Sequence, residues 1–184
     1  MERLLGFETF VCLALLIAVV GAVIDFRTGH IPNWLTLGGL ALGAGLHLLR
    51  GASIGGLGGL RVAALFVVTG VFLCGIVPLV LWRVAGMGGG DLKLLVALGA
   101  VCGAMLGLQA QVYAFAAMLL YVAAMFAYQG KLLKLVWRSA RLALRPFQAQ
   151  GKKSDVPAEL FVPMRFGPAI FVGLAAALLE NIKL

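Results

Sequence analysis

Six apolar segments constrain this chain more than any other feature of its sequence, although the second is short and the last needs flanking residues to span a bilayer. Of its 184 residues, 62% are hydrophobic and only 12% are charged, whereas soluble domains are about 45–50% apolar and about 25% charged. A helix that spans a bilayer needs about 20 mainly apolar residues. We therefore predict an all-α integral membrane protein, a bundle of about six transmembrane helices. In chain order, the segments are Leu4–Ile24, Trp34–Leu49, Val62–Trp82, Leu92–Ala110, Val112–Tyr128 and Phe166–Leu179.

The length of the chain suits one compact helical bundle and leaves no room for a large soluble domain, so we expect a single membrane-embedded domain over residues 1–184. The first segment is predicted to be a retained helix, because no small-x-small cleavage site follows it. Gly51–Gly59 is predicted to be a flexible connection. A tight turn near Gln109–Gln111 is predicted to join the fourth and fifth segments as an antiparallel hairpin.

The basic residues are distributed unevenly along the chain and predict its orientation. With the amino terminus outside, eleven basic residues lie on the cytoplasmic side and four on the other, which satisfies the positive-inside rule. The eleven are Arg27, Arg83, Lys93, Lys131, Lys134, Arg138, Arg141, Arg145, Lys152, Lys153 and Arg165; the four are Arg3, Arg50, Arg61 and Lys183. The net charge of +8 thus reports membrane orientation, and we expect no nucleic-acid partner.

Residues 131–147 are predicted to form an amphipathic helix within this domain. Five basic residues recur there at spacings of 3, 4, 3 and 4, which places them on one helical face, and leucine, valine and tryptophan occupy much of the remainder. This pattern is typical of a helix that lies in the cytoplasmic interface against anionic lipid. A partner-binding surface is the alternative.

Asp25 and Asp91 are the only acidic residues between Glu8 and Asp155. A carboxylate in or near a bilayer costs several kcal/mol unless it is neutralised or hydrated, so such a residue is a candidate functional group. The predicted orientation puts both at the cytoplasmic face. The structural alternative is that each aspartate only caps a helix, as Asp91 would do before Leu92.

The neighbours of the two aspartates differ. After Asp25, Gly29 and Pro32 are predicted to end the helix, and Asn33 can cap the next one. Before Asp91 stand Gly88, Gly89 and Gly90, which lack side chains and would allow an extended peptide to approach the carboxylate closely.

Arg27 and Lys93 are further candidates for the site, because each lies two residues from an aspartate. A positive charge there would favour an ionised carboxylate. Anchoring at the membrane edge would explain both residues equally well.

Two carboxylates that share a site predict acid–base chemistry. They cannot both ionise cheaply, so the pair holds one proton near neutral pH. The ionised member would take a proton from water, and the protonated member would polarise a peptide carbonyl. The sequence leaves open which aspartate has which part.

These residues resemble the type IV prepilin peptidases, a family of GxGD aspartyl proteases. Gly88, Gly90 and Asp91 match the GxGD motif, and Asp25 followed by Ile31-Pro32-Asn33 is similar to the family's first-aspartate motif. Lys93 also fits the pattern. The segment 163–169 resembles a proline–glycine motif that opens the last helix near the active site. Arg165 departs from that motif, and a plain helix-start turn is the alternative.

The resemblance implies a membrane aspartyl endopeptidase of the bacterial inner membrane. Such enzymes cleave short basic leader peptides from prepilins at the cytoplasmic face, after a glycine and before the hydrophobic pilin helix. The chain resembles the short members that serve tight-adherence (Flp-type) pilus systems. It has no CxxC motif, so the methyltransferase function of the longer members is not expected.

Other functions remain as alternatives or are disfavoured. A small proton-coupled transporter component would use the same aspartates, and a structural scaffold would use them only as caps. No cofactor is expected. A metal site is disfavoured because His30 and His47 are predicted on opposite sides of the membrane, and a serine mechanism because Ser53 and Ser139 lack a catalytic partner.

Overall fold

The computed structural model describes residues 6–85, 87–128 and 165–182. Within these ranges the regular secondary structure is entirely helical, which confirms the predicted all-α class. The helices are α1 (Phe7–Thr28), α2 (Asn33–Ala85), α3 (Gly89–Tyr128) and α4 (Gly167–Ile182). The predicted interfacial helix, residues 131–147, lies outside the described residues.

The long helix α2 reverses direction at a pair of glycines. The backbone leaves the helical conformation at Gly55 (φ −127°, ψ 15°) and Gly56 (φ 54°, ψ −133°). In an unbroken helix, residues eight positions apart are separated by about 12 Å, yet a Cβ on Gly51 would lie 2.5 Å from the carbonyl oxygen of Gly59. The predicted connection Gly51–Gly59 is therefore helical except at its two central residues.

The helix α3 reverses at Gly103, where φ is 78° and ψ is 178°. A Cβ on Gly107 would lie 3.3 Å from the Cα of Gly99, so the two halves of α3 lie side by side. The predicted turn near Gln109–Gln111 is wrong, because these residues are helical. Gln111 is only 2% exposed, so its polar side chain is buried inside a helix and does not mark a turn.

In the part of the chain that the structure describes, three helices are long and apolar enough to cross a membrane: Phe7–Thr28, Asn33–Val84 and Gly89–Tyr128; Gly167–Asn181 is a shorter apolar helix. Their outward surfaces carry large apolar side chains such as Leu16, Phe72 and Leu119, each more than half exposed. Soluble proteins rarely expose contiguous apolar patches of this extent. The chain is a membrane protein.

The described helices belong to two compact units, Met1–Ala117 with Arg165–Leu184, and Met118–Met164. In the first unit α1 packs against α4 and α2. Its largest fully buried side chains include Leu94 and Leu98 of α3 and Ile170 and Leu174 of α4. In the second unit the structure describes residues 118–128, the end of α3.

A close crossing of α2 and α3 depends on two glycines and gives a first prediction. A Cβ on Gly99 would lie 2.5 Å from the Gly70 carbonyl oxygen and 2.7 Å from the Cβ of Cys74. We expect Gly99→Ala to lower the free energy of unfolding by about 1–3 kcal/mol, since overpacking forces the backbones apart. The measurement is the thermal unfolding midpoint of the detergent-solubilised protein.

The matched control is Gly45→Ala, because nothing lies within 4 Å of a Cβ at Gly45. Alanine is favoured over glycine inside a helix by about 0.5–1 kcal/mol, so this variant should be as stable as the wild type or more so. Equal midpoints for the two variants would contradict the close crossing.

Candidate active site

Asp25 lies in the last turn of α1, which ends in a glycine turn. Gly29 has φ 68° and ψ 16°, in the left-handed region, and its N–H donates to the carbonyl oxygen of Asp25. This is a common helix ending, and glycine adopts it without steric cost. The N–H of His30 donates to the Thr28 hydroxyl at 3.3 Å. These bonds end α1 about one turn after Asp25.

The side chain of Asp25 is buried, with 6% of its surface exposed, and its partner is the start of α4. The N–H of Gly167 donates to Asp25 Oδ2 at 2.9 Å. The first N–H groups of a helix have no partner within the helix and carry partial positive charge, so they stabilise a carboxylate. This bond explains how a carboxylate is accommodated at a buried position.

Gly167 lies in the segment 163–169 that the resemblance places near the site, but it is not itself among the predicted site residues. A Cβ at Gly167 would lie 2.8 Å from the Cβ of Asp25 and 2.9 Å from its Oδ2, so a larger residue would displace the carboxylate. The sequence signal that points to Gly167 is the proline–glycine motif around Pro168. A plain helix-start turn was the alternative interpretation of this segment. The Ile170 N–H donates to the Phe166 carbonyl oxygen, so the segment does start a helix as well.

Asp91 is the third residue of α3 rather than its cap. The Leu92 N–H donates to the carbonyl oxygen of Gly88 at 3.2 Å, so Gly88 occupies the cap position. Asp91 Oδ1 is buried and makes no hydrogen bond to any described residue. The capping alternative for Asp91 is therefore wrong, although the start of a helix is still electrostatically favourable for a carboxylate.

The turn after Asp25 and the turn before Asp91 are packed together. A Cβ on Gly90 would lie 3.0 Å from the Cβ of Ile31 and 3.4 Å from its backbone nitrogen and oxygen. Glycine at this position therefore allows the two turns to meet. Lys93 Nζ donates to Asn33 Oδ1 at 2.8 Å, so Asn33, which was predicted to cap α2, instead links α2 to α3.

A cavity of about 280 Å³ lies where these elements meet, and both aspartates line it. Its lining is polar and apolar in equal measure, and we call it the polar cavity. The cavity is lined by Asp25, Gly29, His30, Ile31, Asn33, Gly88, Gly89, Gly90, Asp91 and Lys93. The structure thus brings together two carboxylates whose positions in the sequence are 66 residues apart.

The other predicted residues divide into two groups. Gly88, Gly89, Gly90 and Lys93 line the cavity, whereas Arg27 is exposed in the last turn of α1 and is not among the described residues of its lining. Arg165 is exposed as well. Its guanidinium carbon lies 5.6 Å from the centre of the Phe26 ring, which is within the range of a cation–π interaction.

The arrangement favours proton transfer with water. Two carboxylates face one polar cavity, and the amino-terminal ends of α3 and α4 lie beside them. Among residues 6–85, 87–128 and 165–182, no three histidine, cysteine or acidic side chains converge as metal ligands. His47, the second histidine, lies 2.9 Å from the Val101 carbonyl oxygen and stacks on Phe10, so its contacts are with residues that do not line the cavity.

Comparison with known proteins gives the identity of the family. A model of the type IV leader peptidase family matches residues 10–126, a stretch that covers more than half of the chain and contains Asp25 and Asp91. The chain belongs to this family. The membrane protein described here is therefore a leader peptidase-like protease, and the transporter alternative is not favoured. Neither the curated proteins nor the solved structures contain a match to the chain.

The Lys93–Asn33 hydrogen bond gives a second prediction. We expect Lys93→Met to reduce peptidase activity several-fold, because a typical hydrogen bond contributes about 0.5–1.5 kcal/mol and this exposed one joins the elements that carry Asp25 and Asp91. The measurement is the initial rate of leader cleavage in membranes. Lys93→Arg retains a donor for Asn33 and should restore most of the rate; equal losses in both variants would contradict the linking role.

Proposed function

We propose that this protein is an aspartyl endopeptidase that removes the short basic leader from type IV prepilin-like proteins. Asp25 and Asp91 are the catalytic pair. The single observation that carries the proposal is the polar cavity lined by both carboxylates in a chain that belongs to a leader peptidase family. The substrate class follows from the family and from the resemblance of the aspartate motifs.

The proposed reaction uses one shared proton. Two carboxylates at close range do not both ionise readily, so one stays protonated while the other is ionised. The ionised member removes a proton from water, which attacks the peptide carbonyl, while the protonated member donates to the carbonyl oxygen. A proton then passes to the leaving amine, and the peptide C–N bond breaks. The pair acts as a unit.

The proposed peptide path runs along the glycines before Asp91. Gly88 and Gly89 line the cavity without side chains, so an extended backbone can approach Asp91 and use its own amides for hydrogen bonding. The basic residues of a leader are attracted by the ionised carboxylate of the pair. Lys93 lines the cavity beside this path. A contact of Arg27 with the peptide stays a prediction.

The proposed membrane arrangement has six spanning segments. The reversals at Gly55–Gly56 and Gly103 divide α2 and α3 into two helical halves each, which with α1 and α4 makes six segments. Asp25 at the end of α1 and Asp91 at the start of α3 then lie at one membrane face. The distribution of basic residues assigns that face to the cytoplasm, in the bacterial inner membrane.

The test is co-expression with candidate prepilins, comparing the wild type with Asp25→Asn. The wild type should shorten one prepilin by its leader, and mass spectrometry of the product should place the new amino terminus directly after a glycine. Asp25→Asn keeps a side-chain oxygen for the Gly167 N–H but loses the charge, so we expect a folded protein whose cleavage rate is at least about a hundredfold lower. Normal processing by this variant would refute the proposal.

A further inference from the structure

A second cavity of about 340 Å³ adjoins the site and is almost entirely apolar. It lies between the two halves of α2 and is closed on one side by the first half of α3. Its lining residues are Thr36, Leu37, Leu40, Val71, Phe72, Gly75, Ile76, Leu79, Leu92, Lys93 and Val96. We call this cavity the apolar groove. Several of its side chains are well exposed, Phe72 at 65% and Ile76 at 44% among them.

The apolar groove is continuous with the polar cavity through Lys93, which lines both. On α3 the lining changes from Asp91 in the polar cavity to Leu92 and Val96 in the groove within about one helical turn. On α2 it changes from Asn33 to Thr36 over the same distance. An occupant of the groove therefore has one end beside the two carboxylates.

The chemistry of the groove requires a peptide that occupies it to be helical. Among the described residues that line it, Lys93 and Thr36 are the only ones with polar side chains, and the Thr36 hydroxyl already donates to the Asn33 carbonyl oxygen at 3.2 Å. A peptide backbone in such surroundings must satisfy its own hydrogen bonds, which inside a membrane requires a helix. One turn of a helix with its side chains occupies roughly 400–600 Å³, so the groove holds one helical face.

We infer that the apolar groove binds the hydrophobic helix of the substrate, directly after the bond that is cut. This inference rests on the proposed function and adds the element that positions the substrate. The helix lies against α2 and α3 up to the level of Lys93, and the chain beyond it unwinds into the polar cavity, where Gly88 and Gly89 leave room for an extended peptide. Lys93 marks the boundary between the helical and the extended part.

The test uses paired tryptophan variants on α2. Ile76 lines the groove and its neighbour Val77 does not, yet both are 44% exposed. With a prepilin that the wild type cleaves, Ile76→Trp should lower kcat/KM at least about fivefold relative to Val77→Trp. With a peptide truncated a few residues after the cleavage site, the two variants should be equal, and wild-type cleavage of that peptide should be at least about tenfold less efficient.

Photo-crosslinking gives an independent readout that needs no turnover. A benzophenone amino acid at Phe72, within the groove, should crosslink to the hydrophobic segment of the prepilin in an Asp91→Asn background, and the same probe at the neighbouring Leu73 should not. Crosslinks from position 72 only to lipid, or to a second copy of this chain, would overturn the inference.

Failure of the groove inference and failure of the proposed function give different results. Equal rates for Ile76→Trp and Val77→Trp on the full prepilin, with cleavage still dependent on Asp91, would overturn the groove and leave the proposed function standing. Absence of prepilin cleavage by the wild type would overturn the proposed function itself.

Discussion

Replacing Asp91 by asparagine is expected to abolish leader cleavage without reducing the amount of folded protein. A positioned general acid or base contributes about 10²–10⁴-fold to a rate, and in the proposed mechanism Asp91 supplies half of the only acid–base pair. Its Oδ1 is buried without a hydrogen bond to the described residues, so the desolvation cost that neutralisation removes offsets the lost interaction with the start of α3. The measurement is the ratio of processed to unprocessed prepilin after co-expression.

Glu8→Gln provides the matched control for this variant. Glu8 is exposed in the first turn of α1, at the end of that helix opposite Asp25, so its neutralisation changes the net charge equally without touching the cavity. Processing should be unaffected. If Asp91→Asn retained more than about a tenth of wild-type processing, Asp91 could not be one of the catalytic pair.

Replacing Gly167 by valine is expected to reduce cleavage about a hundredfold, although position 167 contributes no side chain to the chemistry. A Cβ there would lie 2.8–2.9 Å from two atoms of Asp25, so the carboxylate must move, and a displacement of about 1 Å can cost 10²-fold in rate. The same crowding should lower the free energy of unfolding by about 1–3 kcal/mol. The measurements are the cleavage rate and the thermal unfolding midpoint.

The control for Gly167→Val is Gly38→Val, where nothing lies within 4 Å of the added Cβ. The rate should then stay near that of the wild type. The expected signature of Gly167→Val is a loss of rate that exceeds the loss of stability. A full rate with an unchanged unfolding midpoint would show that Asp25 does not depend on the start of α4.

The sequence predicted the class of the fold and the two carboxylates because both depend on local composition. Apolar runs of membrane length are readable without knowledge of their partners, and a carboxylate among them is conspicuous. Turn positions were less predictable. The chain has 25 glycines, so nothing local distinguishes Gly103, where φ is positive, from the many glycines inside helices, and the glutamines nearby suggested a turn that does not exist.

The site was predictable in its acids and less so in their partners. Asn33 was expected to cap its own helix, but its side chain accepts from Lys93, 60 positions later in the chain. The Gly167 N–H, which donates to Asp25, is 142 positions away. Bonds of this kind depend on how helices pack, and no local pattern of residue types encodes which backbone group will lie opposite a given carboxylate.

By itself, the sequence determined that this protein is a helical membrane protein with two acids at the ends of apolar segments, since burying charge in lipid is costly wherever it occurs. Only the tertiary structure decided that these acids line one cavity, that the start of α4 stabilises Asp25, and that an apolar groove continues from Lys93. The physical reason is that glycines such as Gly90 and Gly167 allow close approach only when another element is opposite them, and packing selects that element.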